Sequence, residues 1–333
     1  MVMGRACTVF AVVALLLVGC RNKGGPPTPT PSESEASTVV AQPPSPVASA
    51  AVEPSVSSGT ILRIITYNIL ASPVFIALRR DAIVALLDEL DADIVALQEV
   101  PSWMVEALTN PASKLARYRH TERDGAPFVP GGQLILSRHP IGETKAAVLP
   151  GRQRRTVLIA TVEVAGHPIT VATSHMESFL EDGPIRAAQL DVIFGMLSAA
   201  EHAIFLGDFN FGDGEEPDTA HLDPSYVDLW QATRPDDPGF TWNNDQNPMA
   251  GLGAFAGEPN RRLDRVLVRS PRLKPKSIRI IGDEPAGERV LAARERMMIQ
   301  PAERVPKGHD EPTIAVFPSD HYGLVAELAI AAP

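Results

Sequence analysis

Polar residues that can bind a metal or transfer a proton follow one short apolar run after another in this sequence. Short apolar runs bounded by polar residues are typical of buried strands. If these strands are neighbours, their polar ends meet at one edge of a sheet. Such residues follow an apolar run at Asn68, Glu99, His175 and Asp208 with Asn210, and they lie at the start of a run at Asp264 and before one at Asp320 with His321.

Such a cluster has a chemical consequence. Buried carboxylates are costly unless a cation lies among them. Oxygen-rich ligands suit Mg²⁺ or Mn²⁺ better than zinc, and the only cysteines, Cys7 and Cys20, lie near the start of the chain. We therefore predict a divalent metal site, with Mg²⁺ or Mn²⁺, beside acid–base groups.

Each residue also has an ordinary interpretation when it is taken alone. The segment Gly207-Asp208-Phe209-Asn210 has the composition of a turn. Asp264 lies between Arg262 and Arg265 and could form a solvated ion pair, and His175 could be a structural histidine at a strand edge. Independent accidents do not explain all these residues at strand ends, so the joint pattern favours a functional site.

The elements that must position these residues follow from the apolar patterns. Strands outnumber helices, and short turns such as Ala165–Pro168 join neighbouring strands. This indicates an α/β fold, a layered α/β sandwich of two packed mixed sheets with outer helices. Gly282–Pro318 and Gly251–Gly257 are predicted to be loops. Strands are predicted at Ile61–Asn68, Asp93–Glu99, Gly132–Ser137, Thr156–Val164, Ile169–Ser174, Ala203–Gly207, Leu263–Arg269, Ser277–Ile281 and Tyr322–Leu328, and helices at Phe75–Leu90, Ser102–Leu108 and Ile185–Leu197.

The N-terminal residues predict export rather than folding. An apolar run from Thr8 to Val18 ends at Leu17-Val18-Gly19-Cys20, which resembles a bacterial lipobox with Cys20 as the acylated residue. We expect a lipoprotein signal peptide over residues 1–20, a disordered Pro/Ser/Thr-rich tether over 21–59 and one domain over 60–333. The alternative is an ordinary signal peptide or a retained anchor. The expected location is the cell envelope, outside the cytoplasm on the periplasmic or extracellular face. There the N-terminal lipid would anchor the protein to the membrane.

Charge limits the mode of substrate binding. The chain has 333 residues and a formal net charge of −10, so tight binding of nucleic acid through a broad basic face is not expected. A metal and a few arginines near the scissile phosphate would suffice. Arg155, in the run Arg152–Arg155, is a candidate for this contact, although a basic run is also typical of a solvated surface. No protein partner is evident.

The ordered motifs resemble those of the endonuclease/exonuclease/phosphatase superfamily, over essentially the whole of the predicted domain. They are Thr66-Tyr67-Asn68, Leu97-Gln98-Glu99, Thr173-Ser174-His175, Gly207-Asp208-Phe209-Asn210, Leu263-Asp264-Arg265-Val266 and Ser319-Asp320-His321. The extended motifs His175-Met176-Glu177-Ser178, Phe240-Thr241-Trp242-Asn243 and Pro318–Leu324 are most similar to the 5′-tyrosyl-DNA phosphodiesterase branch. Gly212-Asp213 departs from that branch, which tends to have an arginine after Asn210.

The resemblance implies a deoxyribonuclease-like fold and a role for each residue. Asn68, Glu99 and Asp320 would hold the metal. Asp208, fixed by Asn210, would orient or deprotonate the attacking water. Asp264 would keep His321 protonated, and His175 would contact the phosphate near the leaving oxygen. Arg155, Ser178 and Trp242 are candidate substrate contacts, and Trp242 could instead be a core residue.

The sequence thus predicts a metal-dependent phosphoric ester hydrolase of the nuclease or phosphodiesterase type. The leading hypothesis is a phosphodiesterase that uses in-line water attack on nucleic acid or nucleotide ends at the cell envelope. A phospholipid phosphodiesterase of the sphingomyelinase type or a small-molecule phosphatase is the second hypothesis. A non-catalytic envelope binding protein is the third.

Overall fold

The computed structural model describes residues 60–121, 131–255, 257–299 and 311–331. The predicted signal peptide, Cys20 and the whole of the predicted tether lie outside the described residues, so these remain predictions. Within the described ranges, no helix combines the length and the apolarity that crossing a membrane requires.

The described residues form two six-stranded sheets and one separate two-stranded sheet. The strands are β1 (Ile61–Asn68), β2 (Ile94–Gln98), β3 (Arg119–His120), β4 (Leu134–Ser137), β5 (Ile141–Val148), β6 (Thr156–Val164), β7 (His167–His175), β8 (Ala203–Asp208), β9 (Val227–Asp228), β10 (Asp264–Arg269), β11 (Leu273–Ile281), β12 (Gly287–Val290), β13 (Thr313–Val316) and β14 (Gly323–Ile330). The helices are α1 (Ile76–Leu90), α2 (Ser102–Leu108), α3 (Gly183–Leu197), α4 (Leu229–Thr233), α5 (Pro248–Gly253) and α6 (Ala293–Ile299).

Both sheets are mixed. The first has the order β11-β14-β1-β2-β4-β3, and the second has the order β5-β6-β7-β8-β10-β9. The pairs β1–β2 and β7–β8 are parallel, whereas β14 runs antiparallel to β1 and β10 runs antiparallel to β8. In the first sheet, the carboxyl ends of β1 and β2 therefore lie at the same edge as the beginning of β14. In the second sheet, the carboxyl ends of β7 and β8 lie at the same edge as the beginning of β10.

Alternating side chains explain why these strands stack in layers. In β1, Leu62 and Ile64 belong to the apolar core that also contains Ile204 and Leu206 of the second sheet. Ile65 and Tyr67, one residue out of phase, pack instead with the buried faces of α1 and α2. The same period of two places β1 between the second sheet and a helix layer. This confirms the predicted α/β sandwich of two mixed sheets with outer helices.

Two predicted loops contain regular structure. Gly282–Pro318 includes the two-stranded sheet β12–β13 and helix α6, and part of Gly251–Gly257 lies in α5. The loop predictions are wrong at these elements, because nearly all of their side chains are exposed or only half-buried and lack the apolar spacing that identifies a buried element. Residues 300–310 of the first segment lie outside the described residues.

Candidate active site

The predicted polar residues meet at one edge of the sandwich. The register of β7, β8 and β10 sets His175 and Asp264 opposite Asp208. Asn68 ends β1, and Glu99 directly follows β2. The cleft between them has a volume of about 550 Å³, and the predicted residues that line it are Glu99, His175, Asp208, Asn210, Asp320 and His321.

Asp208 is the centre of the cluster. The Asn68 Nδ2 atom donates to Asp208 Oδ2 over 2.9 Å, and the backbone N–H of Asn210 donates to Oδ1 over 3.0 Å. The Nε2 atoms of His175 and His321 lie 3.3 and 3.7 Å from Oδ2. Burial raises the pKa of Asp208 to about 6, with a contribution from the Asp264 charge. Asp208 is therefore a carboxylate that can accept a proton near neutral pH.

His175 is held as a neutral imidazole. The Arg155 Nη1 atom lies 2.8 Å from His175 Nδ1, and because a guanidinium only donates, Nδ1 must accept. The remaining ring proton then sits on Nε2, which faces Asp208. Burial lowers the pKa of His175 well below its usual value, and the charges of Arg155 and His321 lower it further.

His321 has the opposite charge state. Its Nδ1 atom lies 2.9 Å from Asp264 Oδ2, and both residues are buried. Burial alone would lower the pKa of His321, but the carboxylates of Asp208 and Asp264 outweigh it and raise the pKa to about 10. One cleft thus contains a neutral histidine and an imidazolium, both with Nε2 near the same Asp208 oxygen.

Glu99 and Asp320 form the oxygen-rich part of the cleft. Glu99 Oε2 accepts from the Ala71 N–H over 2.8 Å, and Asp320 Oδ1 accepts from Ser319 Oγ over 3.2 Å. Burial raises the pKa of Asp320, and the Glu99 charge adds to this, so the two carboxylates are close enough to repel each other. A divalent cation between them would turn this repulsion into attraction, and two carboxylates suit Mg²⁺ or Mn²⁺.

A second group of potential ligands lies in the same cleft. Donor atoms of Asp208, Asp264 and His321 lie within 4.8 Å of one another. This group fits a metal less well, because an imidazolium has no free lone pair for a ligand bond. Asn68 also points its amide group toward the carboxylates, since Nδ2 lies 3.3 Å from Glu99 Oε1 while Oδ1 accepts from the Leu70 N–H. In this geometry Asn68 links Glu99 to Asp208, and its role as a metal ligand stays a prediction.

The three predicted substrate contacts all border the cleft. Arg155 is buried and contacts His175, whereas Arg152 pairs with Asp182 outside the centre. Ser178 is held by Gln153, whose Nε2 donates to Ser178 Oγ over 2.9 Å. Trp242 is 9% exposed and packs edge-on against His321, with ring centroids 5.0 Å apart. Trp242 therefore packs in the core and also lines the cleft, and its contact with a substrate stays a prediction.

The arginines beside Asp264 form a buried cluster rather than a solvated pair. Arg262 and Arg265 are each 1% exposed and bond to Asp213 and Asp228. The solvated ion-pair interpretation of Asp264 is wrong, because the carboxylate bonds to His321 instead. The departure at Gly212-Asp213 has a structural explanation, since Asp213 and Asp228 together offset the charges of these two arginines.

Sequence reasoning missed Arg79, which supports the floor of the site. Its guanidinium is fully buried and donates to the carbonyls of Ile69, Leu70, Ser72, Val74 and Pro318. It thereby fixes the loop after Asn68 to the loop before Asp320. The signal was present, since Arg79, Ile83 and Leu87 form the buried stripe of α1.

The fold and the site together define a class of enzyme with a carboxylate–histidine centre at the edge of a two-sheet sandwich. The family model described as Endonuclease/Exonuclease/phosphatase family matches residues 65–321. The chain belongs to this family. Every activity in the family's name hydrolyses a phosphate ester, which confirms the predicted class of phosphoric ester hydrolase.

Individual relatives belong to the branch that the motifs predicted. The chain is 28% identical over 201 residues to the tyrosyl-DNA phosphodiesterase 2 of Danio rerio, covering 58% of this chain and 53% of that protein. It is 26% identical over 264 residues to that of Xenopus laevis, covering 77% and 62%. The chain therefore spans only about half to three fifths of these two relatives' lengths.

A solved structure supports the fold. The crystal structure of the Danio rerio enzyme complexed with a single-strand DNA product superposes with a TM-score of 0.64 and 23% sequence identity. The match covers 81% of this chain and 99% of the crystallised one. At this identity the likeness concerns the fold alone.

Proposed function

We propose that this chain is a divalent-metal-dependent phosphodiesterase that uses in-line water attack on the ends of nucleic acids or nucleotides. The observation that carries the proposal is the environment of Asp208. Its Oδ2 atom lies near the Nε2 atoms of a neutral and a protonated histidine. A general base and two N–H donors within one small volume are what phosphate ester hydrolysis requires.

Asp208 would take the proton of the attacking water. Asn210 supports this role twice, because its backbone N–H holds Asp208 Oδ1 and its side-chain Nδ2 donates to the Met176 carbonyl over 2.9 Å. The oxygen of Asp208 is thereby kept in one orientation. Since no cysteine follows Cys20, a thiol nucleophile is excluded, and water activated by Asp208 is the simplest nucleophile.

The two histidines would bind the phosphate oxygens. Both Nε2 atoms lie farther from Asp208 than a good hydrogen bond, so their protons are available to a phosphate placed between them. Asp264 holds His321 in its charged form, and Arg155 holds His175 in its Nε2–H form. Removing one such donor typically lowers the rate by about 10²- to 10³-fold.

Glu99 and Asp320 would hold Mg²⁺ or Mn²⁺. When bound, the ion would polarise a phosphate oxygen and offset negative charge in the transition state. Glu99 is fixed for this task by the Ala71 N–H and by the amide of Asn68, which also contacts Asp208. The same amide therefore sets the distance between the cation ligand and the base.

The substrate class and the location rest on different support. The relatives are tyrosyl-DNA phosphodiesterases, and one was crystallised with a single-strand DNA product, which favours a nucleic acid or nucleotide end. The lipobox-like sequence ending at Cys20 favours a lipid-anchored protein in the cell envelope. Together they favour degradation of nucleic acid outside the cytoplasm over repair within it.

The test is a substrate panel with the purified chain in Mg²⁺ or Mn²⁺. It comprises plasmid, single-stranded DNA, RNA, a 5′-tyrosyl oligonucleotide, sphingomyelin and an aryl phosphate. We expect cleavage of a nucleic acid substrate that is lost with a chelator and in Asp208→Asn. Preferred cleavage of sphingomyelin would favour the phospholipid alternative, and cleavage of none would contradict the proposal.

A further inference from the structure

The side wall of the catalytic cleft carries two adjacent apolar side chains that face solvent. Phe179 is 51% exposed and Leu180 is 48% exposed, and both line the cleft that contains Asp208 and His321. The other large apolar residues that are exposed in the described part of the chain do not line it. They are Val148, Val192, Val227, Val290 and Met297. Leaving two such side chains in water forgoes the stability that their burial would supply.

The backbone that carries this pair is fixed. Arg186 is 1% exposed and donates to the carbonyl of Phe179 over 2.7 Å and to that of Glu177 over 3.2 Å. Its other nitrogens bond to Asp218 at 2.8 and 3.3 Å. The Asp182 N–H also donates to the Phe179 carbonyl over 3.0 Å. The exposure of the pair is therefore built into the structure, and a preorganised surface binds at a lower entropic cost than a mobile loop.

The surroundings favour a flat aromatic ligand over an aliphatic one. The guanidinium carbon of Arg152 lies 5.9 Å from the centre of the Phe179 ring, a cation–π distance. Trp242 and Phe255 line the same cleft, so aromatic side chains from separate segments border the phosphate position. A cavity of about 550 Å³ is large enough for a phosphate together with an organic group attached to it.

We propose that Phe179 and Leu180 determine specificity by binding an aromatic ring of the organic group that is esterified to the phosphate, either the base of a nucleoside or an aryl ring. This inference rests on the proposed function and deepens it by naming the recognised part of the substrate. Phe179 comes four residues after His175, and both line the cleft. A substrate ring bound to Phe179 would therefore lie beside a phosphate held by His175, without touching the reacting atoms.

The test compares two ligands that differ only in the ring. Phenylphosphonate and methylphosphonate are not esters and resist hydrolysis, so their dissociation constants are measured by ligand-observed NMR titration in Mg²⁺. For the wild type we expect phenylphosphonate to bind on the order of tenfold more tightly, as stacking on an aromatic side chain predicts. In the double variant Phe179→Ala/Leu180→Ala, this ratio should fall to below about threefold, while methylphosphonate binds as before.

Three matched variants separate ring recognition from other effects. Val192→Ala, an exposed apolar residue on α3 outside the cleft, should keep the wild-type ratio. Phe179→Leu should lose most of it, whereas Phe179→Tyr should keep it. An unchanged ratio in the double variant would overturn the inference, as would equal ratios in Phe179→Leu and the wild type.

A lipid surface is the competing explanation of the pair, and it has its own readout. If the double variant loses binding to phosphatidylcholine vesicles but keeps the phosphonate ratio, the pair is a membrane contact and the inference is wrong. Failure of the proposed function has a separate signature. In that case the wild type would cleave no phosphodiester, while the phosphonate titration would still show whether the ring is recognised.

Discussion

The centre of the cleft and its side wall are built in different ways. At the centre, Asp208 and Asp264 are fully buried, and strand register sets them opposite each other. On the side wall, Phe179 and Leu180 lie between β7 and α3 and are about half exposed. The centre therefore has the properties of a reaction site that is fixed before substrate arrives, and the wall has those of a surface that selects what is attached to the phosphate.

The largest effect is expected at the centre. Asp208→Asn keeps the size of the side chain but removes the base, so kcat should fall by about a thousandfold or more. The measurement is hydrolysis of thymidine 5′-(4-nitrophenyl phosphate) in Mg²⁺. Asp191→Asn, at an exposed carboxylate on α3, is the matched control and should keep the wild-type rate. A loss of less than tenfold in Asp208→Asn would show that the base lies elsewhere.

Loss of a metal ligand comes next. Glu99→Gln should lower kcat/KM by about a hundredfold and raise the Mg²⁺ concentration needed for half-maximal rate, because one of two proposed carboxylate ligands loses its charge. Titrating the rate with Mg²⁺ after chelation checks this. Glu181→Gln changes an exposed glutamate of the same cleft and should leave the titration unchanged. Equal metal requirements in both variants would contradict the assignment.

The two histidines should differ in their response to pH. Asp208 must be ionised and His321 protonated, so activity should rise as pH increases through about 6 and fall above about 10. In Asp264→Asn one of the two carboxylates that raise the pKa of His321 is absent, so the alkaline limb should move to lower pH and kcat should fall by about tenfold. A pH profile of kcat/KM measures both.

His175→Asn is the comparison variant for that profile. Since His175 is already neutral in the folded protein, its removal should lower the rate but leave the alkaline limb in place. A shift of the alkaline limb in His175→Asn, or no shift in Asp264→Asn, would contradict the assignment of His321 as the protonated histidine and His175 as the neutral one.

Arg79 supports the floor of the site and does not take part in the chemistry. Its replacement should therefore change the catalytic rate least and the stability of the fold most clearly. Arg79→Met leaves several buried carbonyls without a donor and should lower the free energy of unfolding by about 3 kcal/mol. Arg80, the next residue, is partly exposed and pairs with Asp81, so Arg80→Met should change it by less than about 0.5 kcal/mol. Urea denaturation of both variants tests the difference. Equal stabilities would mean that Arg79 is not what holds the two loops.

The same contrast explains what could be predicted from the sequence. Residues such as Asn68 and Asp208 were predictable because each ends an apolar run, and parallel neighbours bring such ends together. The outer strand Ile141–Val148 was not, because most of its side chains are exposed and show no alternation. The two-stranded sheet of β12 and β13 was missed because its side chains are also mostly exposed or half-buried.

Contacts between distant segments also could not be predicted from the sequence pattern. Gln153 holds Ser178 through its side chain and receives a bond from Arg155 Nε over 3.3 Å, yet nothing in the basic run distinguishes it. Phe179 and Leu180 look like ordinary core residues in the sequence, and only the structure shows that they face solvent. Arg79 is an intermediate case. Its position on the apolar stripe of α1 predicts that it is buried, but it does not predict which carbonyl groups it binds.

Glu99 and Asp320 are proposed to hold a divalent cation beside Asp208. The most direct test is anomalous diffraction from a crystal of this chain soaked in Mn²⁺. We predict a peak at about 2.1 Å from a carboxylate oxygen of Glu99, with Asp320 as the second proposed ligand. A peak among Asp208, Asp264 and His321 instead, or no peak in the cleft at saturating Mn²⁺, would contradict this assignment.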